Sequence, residues 1–331
     1  MTTTIFVAGA SGYIGKHIVY QLLEKGYRVI GSVRTEEKGD RLKTLFENDN
    51  FNYVVVEEAE AKGAFDEALK SHPETEVFID TASPLPLGVN YEKQLIKRTA
   101  NGVKNILTSI KDHGPNIRRV VLTSSIASCM NEQQSKDPNF IVDETKWNPD
   151  KHSSAKENPK TAYFYAKAAA EHEAWDFVKK KPPFSLTTIL PAYTFGPQCF
   201  DEDVSDLLET SVEIVTKIFE LNKNDPIPDE KGLFVDVRDV ASAHIQAFEK
   251  DEAQNKRLML VSEDFSAQEI VDILNQMYPG AQLPTGHPGD KPNYKFDNTQ
   301  TQKILDLRCR SLQSSIKDDY DQYLRTHGII S

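Results

Sequence analysis

Tyr163 and Lys167 stand four residues apart in the run TAYFYAKAAAE (residues 161–171). At helical spacing such a pair projects from one face, so a phenol and an ammonium come together. Near neutral pH a free phenol keeps its proton and can pass it to a developing alkoxide. An ammonium about 4 Å away favours the phenolate by roughly 4 kcal/mol at an effective dielectric of about 20, which eases loss of that proton. The same lysine can reach the hydroxyls of a cofactor ribose. Tyr165 is only two residues from Lys167, about 200° around the helix, and is expected to pack or to line a wall. This pair suits reduction of a carbonyl group. It needs a cofactor and a group that orients the carbonyl, because Tyr-x-x-x-Lys occurs often by chance. Thr123-Ser124-Ser125 ends the apolar run RRVVLTSS, with Ser125 38 residues before Tyr163. A serine hydroxyl there would lie at the carboxyl edge of a strand, where ligands of parallel sheets bind.

A cofactor site is legible upstream. GASGYIG (Gly9, Ala10, Ser11, Gly12, Tyr13, Ile14, Gly15) directly follows a strand-like run and opens a helical one. Gly9 permits the tight turn, Gly12 lets backbone approach a pyrophosphate, and Gly15 allows close helix–sheet contact. The N–H groups of the helix start then face the phosphates. In strand–turn–helix context this reads as dinucleotide binding. An NAD site usually carries Asp or Glu at the end of the second strand. Here that strand ends in Arg34, with Lys38 four residues on. A guanidinium can fork onto a 2′-phosphate that a carboxylate would repel, so NADPH is the expected cofactor. Glu36 and Glu37 lie nearby.

These residues need a scaffold. TIFVAG, RVIGSVR, NYVVVEE, EVFIDTAS, RRVVLTSS and SLTTIL read as six short strands separated by helical patterns, the first helix running from Lys16 to Lys25 with Gly26 as its cap. That alternation implies parallel βαβ units, an α/β fold with a doubly wound parallel sheet (Rossmann) and a smaller, discontinuous C-terminal substrate lobe. The expected dinucleotide-binding domain is 1–190, completed by about 233–261. The substrate lobe takes 191–232, around one helix at about 203–221, and 262–331, with an amphipathic helical stretch from Gln302 to about Leu324. KKKPP (179–183) reads as a solvated helix end.

Composition narrows the partners. A net charge of −11 argues against nucleic acid or an anionic membrane as the main partner. MTTTIFVAGASG lacks the marks of a secretory signal, and no apolar run is long enough to cross a bilayer. Cys129, Cys199 and Cys309 are scattered and odd in number, which excludes a disulfide framework and a Cys-based zinc site and suits a reducing cytoplasm. The eight histidines show no paired ligand spacing, so no metal is expected. A monomer or homodimer acting on a small-molecule carbonyl substrate is the expected form.

The glycine spacing G-x-x-G-x-x-G resembles that of extended short-chain dehydrogenases/reductases. Together with YFYAK, the segments VIGSVRTEEK, TASP, NGVKNIL, RRVVLTSS, PAYTFGPQ and FVDVRDVASAH make the chain resemble, over nearly its whole length, the yeast NADPH-dependent methylglyoxal and aldehyde/ketone reductases. These belong to the dihydroflavonol-4-reductase-like branch. The resemblance implies Ser125 rather than Ser124 as the catalytic serine, and cofactor contacts from Gly9 through Ile14, at Arg34 and Lys38, and at Glu58 and Ala59. It also implies contacts at Thr81, Ala82, Tyr163, Lys167, Pro191, Thr194 and Ser211, and a substrate pocket that includes Ser83, Pro84, Ile126, Ala127 and Tyr193. The implied chemistry is hydride reduction of an aldehyde or ketone, with 2-oxoaldehydes, aliphatic aldehydes and keto esters as substrates.

The chain departs from that pattern at Asp80 (usually His), Ile126 (usually aromatic), Leu190 (often Asn), Glu58 (usually Asp) and Asp306 (usually Gly). Other readings of the same scaffold are a sterol dehydrogenase or a sugar epimerase, and a non-catalytic dinucleotide sensor. The sensor would be expected to lose Tyr163 or Lys167.

Overall fold

TIFVA is buried at every residue, as a strand in the middle of a sheet covered on both faces must be. In this computed structural model, which describes residues 2–82, 95, 97–153, 158–204, 211–289 and 294–329, that run is β1 (Thr4–Ala8). The strands β2 (Arg28–Val33), β3 (Phe51–Val55), β4 (Thr75–Asp80) and β5 (Arg119–Thr123) alternate with helices α1 (Tyr13–Glu24), α2 (Glu36–Phe46), α3 (Asp66–Ser71) and α4 (Lys97–His113). Then come β6 (Ile141–Asp143), the long helix α5 (Pro159–Val178), β7 (Ser185–Pro191), β8 (Tyr193–Phe195) and α6 (Ser211–Phe219). The chain continues with β9 (Lys231–Asp236), α7 (Val237–Glu249), β10 (Arg257–Leu260), β11 (Glu263–Ser266), α8 (Ala267–Met277), β12 (Lys295–Asp297), α9 (Thr299–Leu305) and α10 (Leu312–Thr326).

Seven parallel strands form the main sheet in the order β10-β7-β5-β4-β1-β2-β3. After β1 the chain builds outward to β3, then crosses back to place β4 on the other side. The carboxyl ends of β1 and β4 therefore flank the switch point at which such sheets bind ligands. Gly26, with φ of +80°, ends α1 as expected: its N–H bonds Leu23 O at 2.9 Å and the N–H of Tyr27 bonds Leu22 O at 3.0 Å. The helix begins at Tyr13, earlier than expected, because the glycine turn itself forms its first cap. Asn158 caps α5 by accepting the Thr161 N–H at 2.9 Å, and buried alanines (Ala162, Ala166, Ala170, Ala174) let it press against its neighbours.

The stretch 233–261 splits between two sheets. β9 pairs with β8 and β11 in a separate three-stranded sheet, while α7 packs against α1 and β10 joins the main sheet beside β7. The smaller sheet has its own core, with Phe195, Phe234 and Phe265 stacked on residues of α6, α8 and α10. Among the described residues of 203–221 the helix spans only Ser211–Phe219, and Asp201–Asp203 forms a 3-10 turn. The expected helical stretch from Gln302 is broken: Asp306, at φ +50°, ends α9, and Ser311 caps α10 by accepting the Ser314 N–H at 3.2 Å. The position usually held by Gly is thus a left-handed one.

Candidate active site

Gly9 bends the chain out of β1 at φ +80°, a conformation that suits glycine. A Cβ there would stand 2.8 Å from Thr81 Oγ1 and 3.1 Å from Ala82 N, at the end of β4. On Gly15 a Cβ would fall 2.2 Å from the Gly9 carbonyl oxygen, so the first turn of α1 lies directly on the strand end. Gly12 is exposed and no side chain caps the helix it begins, which leaves the N-terminal N–H groups facing outward. A bare helix start above a side-chain-free cradle fits a dinucleotide pyrophosphate. Tyr13 spends its phenol elsewhere, donating to Gly196 O at 2.5 Å and so pinning α1 to the segment after β8.

Arg34 and Lys38 are exposed just past β2. The Val56 N–H bonds Val33 O at 2.8 Å, which brings the chain after β3, with exposed Glu58 and half-buried Ala59, to the Arg34 end of β2. Cation, exposure and the lack of a carboxylate at the strand end fit a 2′-phosphate.

Asp80 ends β4, and Thr81 and Ala82 follow it. Thr81 Oγ1 donates to Ala8 O at 2.7 Å, and the Ala82 N–H donates to the buried carboxylate of Asp80 at 2.9 Å. Burial pushes the Asp80 carboxyl up to about 6, against the pull of the Ala82 N–H and the positive charge of Lys167. Ser83 and Pro84 lie outside the described residues.

On α5 the Lys167 ammonium sits 5.9 Å from the centroid of the Tyr163 ring. Tyr165 turns the other way and meets His152 edge-on at 5.7 Å. The two serines after β5 divide cleanly. Ser124 donates its proton to Glu171 at 2.7 Å. Ser125 Oγ accepts the Ala127 N–H at 3.2 Å, capping the turn Ile126–Ser128. That cap uses a lone pair and leaves the Ser125 hydroxyl proton for donation. Ile126 and Ala127 are buried behind it. Pro191 closes β7 and Thr194, in β8, donates to Ala192 O at 3.1 Å, both buried near the same edge. Tyr193 is half-buried against Phe195 and Phe265; burial, the Glu230 carboxylate and the Tyr163 and Tyr294 phenols push its phenol up to about 12. Ser211 begins α6, half-buried.

Several residues of this site carry no local signal in the sequence. His244 Nδ1 donates to Val240 O and its Nε2 accepts the Thr123 hydroxyl at 2.8 Å, so a neutral imidazole on α7 fixes the end of β5; burial lowers it to about 4. Asp236 caps α7 and binds Arg238, which also reaches Asp318 of α10. FVDVRDVASAH therefore acts as the joint between the two sheets. Among the described residues no three His, Cys, Asp or Glu converge as a metal site, and no helix is long and apolar enough to cross a membrane.

Residues 5–261 match the NAD dependent epimerase/dehydratase family. The chain is 42% identical over 337 residues to a putative NADPH-dependent methylglyoxal reductase of Candida albicans, covering 98% of this chain and 99% of that one. It is 37% identical over 341 residues to the NADPH-dependent methylglyoxal reductase GRE2 of Saccharomyces cerevisiae, covering 99% of this chain and all of the relative (100%). A crystal structure of Gre2 from Candida albicans in complex with NADPH superposes with a TM-score of 0.95 at 41% identity, covering 98% of this chain and 99% of that one.

Proposed function

This chain belongs to the NAD dependent epimerase/dehydratase family, and from that premise we propose that it is an NADPH-dependent carbonyl reductase. Its substrates are aldehydes and ketones of the methylglyoxal type, aliphatic aldehydes and keto esters. The observation that carries the reading is the Lys167 ammonium beside the Tyr163 ring on one face of α5. Full-length likeness to NADPH-dependent methylglyoxal reductases supports it.

The residues divide the work as follows. Gly9 to Gly15 receive the pyrophosphate, Arg34 and Lys38 the 2′-phosphate, and Glu58 and Ala59 border the adenine end. Thr81, Ala82, Pro191 and Thr194 border the nicotinamide half, with Ser211 near the 2′-phosphate end or the mouth. NADPH, when bound, supplies the hydride. Ser125 donates a hydrogen bond to the substrate carbonyl oxygen and holds it toward Tyr163. The Tyr163 hydroxyl gives its proton to that oxygen as negative charge develops there. Lys167 favours the resulting phenolate and holds the ribose. Ile126 and Tyr193 shape the pocket, between a dinucleotide-binding domain of 1–190 completed by about 233–261 and a lobe of 191–232 and 262–331. The three free thiols suit a reducing compartment, so the enzyme is placed in the cytoplasm, as a monomer or homodimer.

The test is NADPH oxidation over a panel of 2-oxoaldehydes, simple aldehydes, β-keto esters and diketones, with Tyr163→Phe as control. Turnover of one class, abolished in the control, is expected. NADPH binding without turnover of any class would sink the reading.

A further inference from the structure

Glu171 lies one helical turn beyond Lys167 on α5, and its side chain is fully buried. A buried carboxylate persists only where its partners replace water, so those partners tell what it holds. Oε2 accepts from Ser124 Oγ at 2.7 Å and Ser128 Oγ at 2.5 Å. Oε1 accepts from Thr188 Oγ1 at 2.8 Å, Trp175 Nε1 at 3.1 Å and Arg257 Nε at 2.7 Å. Burial alone would raise this carboxyl, but Arg257 and the two serines outweigh it and hold Glu171 below the usual range.

Arg257 is oriented in turn. Its guanidinium lies 3.6 Å from the centroid of the Trp147 ring, and Nη1 donates to Glu144 O at 2.8 Å and Lys146 O at 2.6 Å. Nη2 reaches Ser128 Oγ at 3.1 Å and Glu171 Oε2 at 3.2 Å. Both serines that Glu171 grips flank Ser125: Ser124 precedes it, and Ser128 shares its single proton between Glu171 and the Ser125 carbonyl oxygen, the latter at 2.8 Å. The turn that bears Ser125 is thus tied at both ends to the helix that bears Tyr163 and Lys167.

We propose that Glu171, oriented by Arg257, is a positioning residue that sets the Ser125 hydroxyl against Tyr163 and Lys167 for carbonyl reduction. This rests on the role given to Ser125 above. The neutral isostere Gln cannot accept both serine hydroxyls and face the guanidinium as a carboxylate does, so the Ser125 turn would shift on its support. A shift of that kind lowers the rate of the chemical step and spares cofactor binding.

The experiment is a cycle of Glu171→Gln and Ser125→Ala in the full chain, read by kcat, KM and NADPH fluorescence titration. Glu171→Gln is expected to lower kcat roughly ten- to a hundred-fold, with NADPH affinity unchanged. In the Ser125→Ala background the same change should cost less than about two-fold, because the interaction it serves is already gone. Equal losses in both backgrounds would overturn the proposal, as would an unchanged kcat in Glu171→Gln. If Ser125→Ala itself is fully active, the assignment of Ser125 fails instead, which separates the two ideas. Should Glu171→Gln fail to fold, Ser128→Ala takes its place, removes one of the two ties, and is judged by the same cycle.

Discussion

Thr81 Oγ1 occupies the space that a Cβ on Gly9 would need, 2.8 Å from it, across the crevice between β1 and β4. The threonine cannot swing aside freely, since its hydroxyl donates to Ala8 O at 2.7 Å. Gly9→Ala therefore meets a clash as well as the left-handed φ, the latter alone costing about 1–2 kcal/mol. NADPH affinity is expected to fall by roughly ten-fold or more as the turn deforms, at about 1.4 kcal/mol per factor of ten. Fluorescence titration of the variant reads this directly, and unchanged affinity would remove the turn from the cofactor site.

Tyr163→Phe removes the proton that reduction requires, and kcat should fall by roughly 10²–10⁴. Tyr165→Phe, on the far side of α5 against His152, should largely spare it. Reduction needs the phenol and alcohol oxidation the phenolate, so the reverse reaction should have the higher pH optimum. Rates measured in both directions across pH decide the point, and the opposite order excludes Tyr163 as the acid.

Arg34→Asp replaces a cation at the end of β2 with a charge that repels a 2′-phosphate. A hydrogen bond to a charged group contributes about 1.5–3 kcal/mol, so KM for NADPH should rise by roughly ten-fold or more. KM for NADH, which lacks that phosphate, should change little. Equal changes for the two cofactors would mean that Arg34 does not read the phosphate.

Asp80 offers a pH signature. Its carboxyl is raised on folding from the ordinary 3.8 to about 6. The group thus contributes stability in full below pH ~4, and that contribution is lost as pH rises through about 6. Above that the ionised, buried carboxylate is a cost on the order of 3 kcal/mol. Asp80→Asn keeps an acceptor for the Ala82 N–H and removes the charge. Its melting temperature should exceed that of the parent at pH 7–8, with the gain shrinking toward pH 4. Thermal melts across that range test it, and a gain independent of pH would place the ionisation elsewhere.

The departures from the family's pattern become physical once they are placed. Asp80 is buried at the end of β4, where the positive charge of Lys167 opposes the rise that burial imposes on its carboxyl. Asp306 takes a left-handed helix end that glycine would adopt more easily. Ile126 is buried in the turn that Ser125 caps.

What the chain's residues determined by themselves is what depends on near neighbours. The glycine turn, the Tyr163–Lys167 pairing, the buried parallel strands and the Gly26 cap all rest on φ, on a period of 3.6 or on a short apolar run, and each is visible within a dozen residues. Where those signals ended, tertiary structure decided. Ser124 and Ser125 are alike in sequence, and only the fold brings Glu171, 47 residues on, to accept a hydrogen bond from the Ser124 hydroxyl and leave that of Ser125. Tyr13, inside the glycine motif, gives its phenol to Gly196, 183 residues away. β9 is buried along most of its length, as the strands of the main sheet are, yet it pairs with β8 and β11 outside that sheet. A hydroxyl's partner and a strand's neighbour are set by which surfaces meet across the core, and residues distant in the chain decide that together.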